Sequence, residues 1–230
     1  MFPGLSGGNH GILSDIWPTL IRAMLLQVSF WDLIINQLAA TTWLEWVGTI
    51  SGFGCVYLAA RQNIWNWPVA IVSVIAYSIL FYEYGLYGDA VLQLYFMGTS
   101  FYGWYYWIKR KEAHARPVSL LTKRGMAWVV LGCILLTFLL GLFLDNYTDT
   151  DVPYADGFCT AVSFIAQFLM TRKVLQNWLL WIIVDICYVP LYLYKDLMLT
   201  AVLYTLFLAL AVMGYLQWLK SYRVAKAASL

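Results

Sequence analysis

From Trp43 onward, long apolar runs alternate with short polar breaks. The runs fall at roughly 43–61, 64–83, 88–108, 126–144, 156–172, 176–194 and 198–219. Each is close to the ~20 residues a helix needs to cross a hydrocarbon core of about 30 Å. A barrel strand would instead show about ten residues of alternating polarity, and no such alternation occurs. The pattern therefore predicts an all-α integral membrane protein with seven transmembrane helices.

The segment 12–40 reads differently. It is apolar but holds Asp15, Arg22, Asp32 and Asn36. Arg22 and Asp32 stand too close for an unbroken span between them. An amphipathic helix at the interface is expected, with an eighth span as the alternative.

Composition agrees with lipid as the solvent. Hydrophobic residues make up 62% of the 230 and charged residues 11%, against roughly 25% charged in soluble domains. Mean hydropathy is +0.70. The net charge of +2 gives no reason to expect a nucleic-acid partner. Cys55, Cys133, Cys159 and Cys187 lie in or beside apolar runs without CxxC or Cys/His spacing, so free packing thiols are expected. The start of the chain lacks the pattern of a cleavable signal peptide.

Charge placement sets orientation. Lys109 to Arg124 reads KRKEAHARPVSLLTKR, the fifth run ends on Arg172 and Lys173, and the seventh is followed by Lys220, Arg223 and Lys226. The opposite loop, DNYTDTDVPYAD at 145–156, has only acidic charges. Alternating spans put all the basic sites on one side. By the positive-inside rule that side is cytoplasmic, and so is the C-terminus.

The chain also repeats itself. Shifted by 111 positions, residues 52–109 fall on 163–220 without a gap, with 17 identities in 58 pairs. Asn66-Trp67 meets Asn177-Trp178, Tyr77 meets Tyr188, Gly103 meets Gly214 and Trp107 meets Trp218. Three spans per copy and one between them place both copies in the same orientation. Parallel repeats of this kind build transporters that bind substrate near mid-membrane, where the copies meet; duplication for stability alone is the plainer alternative. The expected division is 1–42 as N-terminal tail and extra helix, and 43–109 as the first three-helix repeat. A basic loop follows at 110–125, a linker helix at 126–144, an acidic outer loop at 145–155, the second repeat at 156–222 and a tail at 223–230.

Polar groups at membrane depth are the candidate chemistry, because a charge in hydrocarbon costs several kcal/mol. Asp185 lies nine residues from either end of the run 176–194. Its repeat mate is Val74, so symmetry does not demand it. It is either a cavity group or a hydrogen-bonded structural carboxyl. Gln93 and Gln167 are amides in apolar runs, suited equally to interhelical hydrogen bonds and to ligand binding. Trp178, Trp181, Asp185 and Tyr188 fall along one helical face. That stripe is either packing or a surface on which a flat ring stacks and a cation is neutralised. Trp67, as the mate of Trp178, should approach the same axis. Catalysis finds no support. The two histidines, His10 and His114, lie outside the runs, and no HExxH, GxSxG or phosphate-binding glycine loop occurs. No metal, cofactor or enzymatic activity is expected.

WNWPVA at 65–70, QLYF at 93–96, YGWYYW at 102–107 and NWLLW at 177–181 resemble the PnuC family of nicotinamide riboside transporters, over roughly residues 43–222. NWxxW is the most specific of these motifs. The resemblance implies a 3+1+3 arrangement like an enlarged SWEET fold and a homotrimer embedded in lipid of the bacterial inner membrane. It implies uptake of nicotinamide riboside, a form of vitamin B3, by facilitated diffusion. It carries a substrate-binding role onto Asn177, Trp178, Trp181 and Gln93. Depth and helical face add Asp185, Tyr188, Trp67 and Tyr77. A related carrier of another aromatic vitamin, such as thiamine or riboflavin, is the alternative. Without a Lys or Arg at mid-membrane in the spans, a phosphorylated substrate should not bind.

Overall fold

The structure is a computed structural model that describes residues 35–36, 38–39, 41–83, 87–112, 118–148, 150–194 and 198–228. Most of the segment 12–40 therefore lies outside the described residues. The described residues from Thr42 onward form one compact unit, separate from those before it.

Seven helices run through this unit: α1 (Trp43–Ala60), α2 (Asn66–Glu83), α3 (Tyr87–Glu112), α4 (Lys123–Tyr147), α5 (Pro153–Thr171), α6 (Asn177–Tyr194) and α7 (Met198–Ala227). Each coincides with one of the predicted runs. Their starts have local causes. Thr42 and Glu45 form a capping box, the Thr42 hydroxyl accepting from Glu45 N–H at 3.2 Å. Thr122 caps α4 by accepting from Gly125 N–H, and Pro153 opens α5 where its missing donor costs nothing.

Among the described residues three helical stretches, Lys123–Tyr147, Asn177–Tyr194 and Thr200–Ala227, are long and apolar enough to cross a membrane, with mean hydropathies of 2.6, 1.4 and 1.7. On α4 the apolar residues face outward: Trp128, Ile134, Leu135 and Phe138 are all exposed. In water that face would be a severe liability; in lipid it is the solvated surface.

Among the described residues the helices touch in a closed order. α1 packs on α2, α2 on α3, α3 on α5, α5 on α6, α6 on α7, and α7 back on α1, while α4 lies against α5. Under the 111-residue shift this ring maps onto itself.

Local geometry obeys the same shift. After α1 and after α5 the chain makes the same stop. Asn63 N–H reaches Leu58 C=O and Gln62 N–H reaches Ala59 C=O; Val174 reaches Leu169 and Lys173 reaches Met170. These are Schellman motifs. Their left-handed positions are Gln62 (φ 54°) and Lys173 (φ 55°), where glycine is the usual occupant. The side-chain amide of Asn66 then donates to Asn63 C=O, and that of Asn177 to Val174 C=O, both at 2.6 Å. The repeated Asn thus fixes the tight turn into α2 and α6.

Part of the expected basic loop is pinned to the α5–α6 turn, which no sequence pattern announced. Ser119 pairs with Val174 in a parallel bridge, Ser119 N–H donates to Lys173 C=O at 3.0 Å, and Leu175 N–H donates to Ser119 C=O at 2.9 Å.

Candidate functional site

The tryptophan motifs converge at the basic end of the ring. Trp67, Trp107, Trp178 and Trp218 are all at most 2% exposed. Trp67 meets Trp107 edge to face at 5.3 Å, and Trp178 meets Trp218 likewise at 5.6 Å. Trp107 and Trp218 meet each other at 6.0 Å. Trp107 Nε1 donates to Thr171 C=O at 3.1 Å, and Trp218 Nε1 to Ala59 C=O at 3.0 Å. Each indole therefore ties its own repeat to the end of the first helix of the other. Gly103 and Gly214 make room: a Cβ on Gly214 would lie 2.7 Å from the Trp178 ring, and one on Gly103 would strike Trp67.

The stripe expected along α6 thus divides into two layers. Trp178 belongs to the indole cluster, and half-buried Trp181 packs against it. Asp185 lies seven residues further on, about 10 Å along the axis, in a layer of tyrosines. It is 4% exposed. Among the described residues no side chain hydrogen-bonds its carboxylate. Tyr188, Tyr192 and Tyr204 pack as a triangle at 4.8–5.2 Å. Phe207 follows Tyr204 at 5.8 Å and stacks on Phe53 at 4.5 Å. Tyr204 is near enough to Asp185 and Tyr77 to feel both electrostatically. Tyr77 bonds Thr49 at 3.0 Å and covers Gly48. Side chains from α1, α2, α6 and α7 therefore meet around Asp185.

Of the eight expected contact residues, Asp185, Tyr188 and Tyr77 gather in this layer, and Asn177, Trp178, Trp181 and Trp67 in the indole layer. Gln93 is half-buried on α3, which does not adjoin α6 among the described residues. Gln167 lies 3.5 Å from the Thr99 hydroxyl, so it links α5 to α3. Three polar atoms of the indole layer are buried without a described partner: Trp67 Nε1, Trp178 Nε1 and Asn177 Oδ1. Unpaired buried donors and acceptors are rare and costly.

The candidate site is multi-element and aromatic; Asp185 is buried in it, Asp156 is near enough to Tyr188 and Tyr192 to act on both electrostatically, and among the described residues there is no group of three metal-ligating side chains. The model of the nicotinamide mononucleotide transporter family matches residues 42–220. The chain belongs to this family. Nicotinamide mononucleotide transporter relatives include the nicotinamide riboside transporter PnuC of Escherichia coli, 26% identical over 209 residues and covering 79% of this chain and 87% of the relative. PnuC of Neisseria mucosa is 27% identical over 192 residues, 78% and 73% of the two chains. A third relative is the riboflavin/roseoflavin transporter RibM of Streptomyces davaonensis, 27% identical over 182 residues, 76% and 84%. The crystal structure of the vitamin B3 transporter PnuC shares the fold, with a TM-score of 0.67 over 95% of this chain and 94% of the other at 24% identity. Membership makes this chain a multi-pass membrane transporter rather than an enzyme.

Tyr192 and Tyr204 escaped the sequence reading of this candidate site. The repeat held the signal: Tyr204 is the mate of Gln93 and Tyr192 the mate of Phe81. The interior is therefore pseudo-symmetric in backbone and asymmetric in chemistry. The second repeat supplies Asp185, Tyr188, Tyr192 and Tyr204, and the first supplies Tyr77 and Thr49.

Proposed function

We propose that the protein carries nicotinamide riboside across the bacterial inner membrane by facilitated diffusion, the riboside binding between two parallel three-helix repeats joined by α4. In this reading the arrangement is 3+1+3 and SWEET-like, each protomer of a homotrimer has its own pathway, and the basic side and C-terminus are cytoplasmic. The curated relatives named as riboside transporters support the substrate. The observation that carries the reading is Asp185, a buried carboxylate with no described hydrogen-bond partner inside a wall of aromatic rings. A pyridinium cation placed there gains Coulomb attraction at low dielectric and ring contact at the same time.

Trp181 and Tyr188 offer faces for the flat rings. Asn177 Oδ1 and the Trp178 and Trp67 N–H groups are unspent polar atoms able to meet the carboxamide and ribose hydroxyls. Gln93 and Tyr77 complete the set from the first repeat. Calorimetry on purified protein tests the assignment. Asp185→Asn and Trp181→Ala should each weaken riboside binding roughly tenfold, about 1.4 kcal/mol, in protein that stays folded. Unchanged affinity in both removes them from the site.

A second reading is favoured by one finding, the riboflavin/roseoflavin relative. Stacking tolerates many rings. A thermal-shift panel of nicotinamide riboside, riboflavin and thiamine separates the two, and stabilisation by riboflavin alone reverses the choice.

A further inference from the structure

Between α3, α4 and α5 an open groove of about 350 Å³ is lined by Tyr95, Leu136, Phe164, Ile165 and Phe168. It is apolar throughout and falls within the ~300–1,000 Å³ of ordinary ligand sites. Arg172 lies one helical turn beyond the lining residue Phe168. The Arg172 guanidinium stands 6.0 Å from the Phe168 ring, 6.0 Å from Tyr102 and 4.9 Å from Tyr106, and it donates to the Tyr102 hydroxyl.

Arg110 approaches the same Tyr106 ring at 5.7 Å and donates to its hydroxyl at 3.1 Å. Lys173, the next residue after Arg172, feels the charge of Arg110. Positive groups thus crowd one aromatic patch, and no carboxylate among the described residues pairs with Arg172.

We propose that this groove holds an anionic phospholipid, its acyl chain on Phe164, Ile165, Phe168, Leu136 and Tyr95 and its phosphate on Arg172. An apolar slot ending in a cationic, aromatic-rimmed patch matches that amphiphile in both halves. Arg172 ends α5 on the basic side, at the depth of cytoplasmic-leaflet headgroups. A soluble anion would use the patch but leave the groove bare, and a zwitterionic lipid would fill the groove but gain less at the patch. The repeat provides a control. Arg61, the mate of Arg172, stands over Tyr57 at 5.4 Å.

The test uses full-length protein in neutral detergent. Dioleoyl-phosphatidylglycerol, dioleoyl-phosphatidylcholine and glycerol phosphate are added separately, with melting temperature as one readout and lipid retained in native mass spectrometry as the other. Phosphatidylglycerol should raise the melting temperature by several degrees and stay bound, while the other two do little. Arg172→Gln and the groove-filling Ile165→Trp should lose this response. Arg61→Gln should keep it, and Arg172→Lys should keep part of it. If Arg172→Gln does not fold, the Ile165→Trp and Arg172→Lys arms still decide. Equal response to phosphatidylcholine, an undiminished response in Ile165→Trp or Arg172→Gln, or stabilisation by glycerol phosphate alone overturns the proposal. So does cross-linking of a cysteine at Leu136 to a second copy of the chain in place of lipid. None of these readouts involves the riboside, so failure here leaves the transport reading untouched.

Discussion

Trp107 and Trp218 face each other across the ring at 6.0 Å, each donating its indole N–H to the end of the first helix of the opposite repeat. The pair fastens the two halves at the basic end by hydrogen bonds buried among rings, where water does not compete. Replacing either with Phe keeps most of the ring and removes the donor. Trp107→Phe and Trp218→Phe should each cost about 1–3 kcal/mol, because a buried carbonyl loses its partner. Because the two rings touch, the double variant should be non-additive. Thermal unfolding in detergent measures all three, and a Trp107→Phe protein as stable as wild type contradicts the role.

The glycines of the same layer give a sharper contrast. Gly214→Ala places a methyl 2.7 Å from the buried Trp178 ring, and Gly103→Ala does the same to Trp67. Neither indole has room to retreat, so each change should destabilise by roughly 1–3 kcal/mol as overpacking. Gly98 lies on the same helix as Gly103 and nothing stands within 4 Å of its added Cβ. Gly98→Ala should be neutral or stabilising, since Ala is the better helix former. Melting temperatures of the three variants should order Gly98→Ala well above the other two.

The helices were legible because lipid imposes length and hydrophobicity on each span. The repeat was legible because Asn66-Trp67 and Asn177-Trp178 do the same work in both halves. What they do was not. Sequence placed Trp178 on one stripe with Asp185, whereas the indole layer absorbs Trp178 and the tyrosine layer holds Asp185. A helical face records direction but not which neighbour fills it. Tyr204 was missed because a tyrosine in an apolar run looks like packing until its partner across the ring is known. The groove ending at Arg172 depends on how α4 leans on α5, which no local pattern encodes.

Lys173 makes stability depend on pH. Burial first, and then the charge of Arg110, push its amine down from 10.5 to about 8. Between about 8 and 10.5 the unfolded chain holds a proton there that the folded chain has released, so stability rises with pH across that window. The Trp107 ring, 4.2 Å from the amine, favours the charged form and trims the effect. Wild type should therefore gain melting temperature from pH 7.5 to 10 relative to Lys173→Met, which lacks the titrating group. Parallel curves for the two proteins would remove Lys173 as the source.

The interior proposed to hold a cation should refuse a phosphate. The family is described by the mononucleotide, yet the curated relatives from Escherichia coli and Neisseria mucosa are named for the riboside. The phosphate separates the two ligands. Asp185 sits at the middle of α6, and the nearest Lys or Arg along the chain are Lys195, ten residues after it, and Lys173, twelve residues before it. A phosphate entering the tyrosine layer would meet a carboxylate instead of a cation, and would leave water without charge-assisted partners. Nicotinamide riboside should therefore bind at least a hundredfold more tightly than its mononucleotide, a difference of about 2.7 kcal/mol. Asp185→Asn should narrow that gap from both sides, by weakening the riboside and easing repulsion of the phosphate. Competition calorimetry with both ligands on wild type and Asp185→Asn measures it. Mononucleotide binding as tight as riboside binding in wild type would place the ligand elsewhere than beside Asp185.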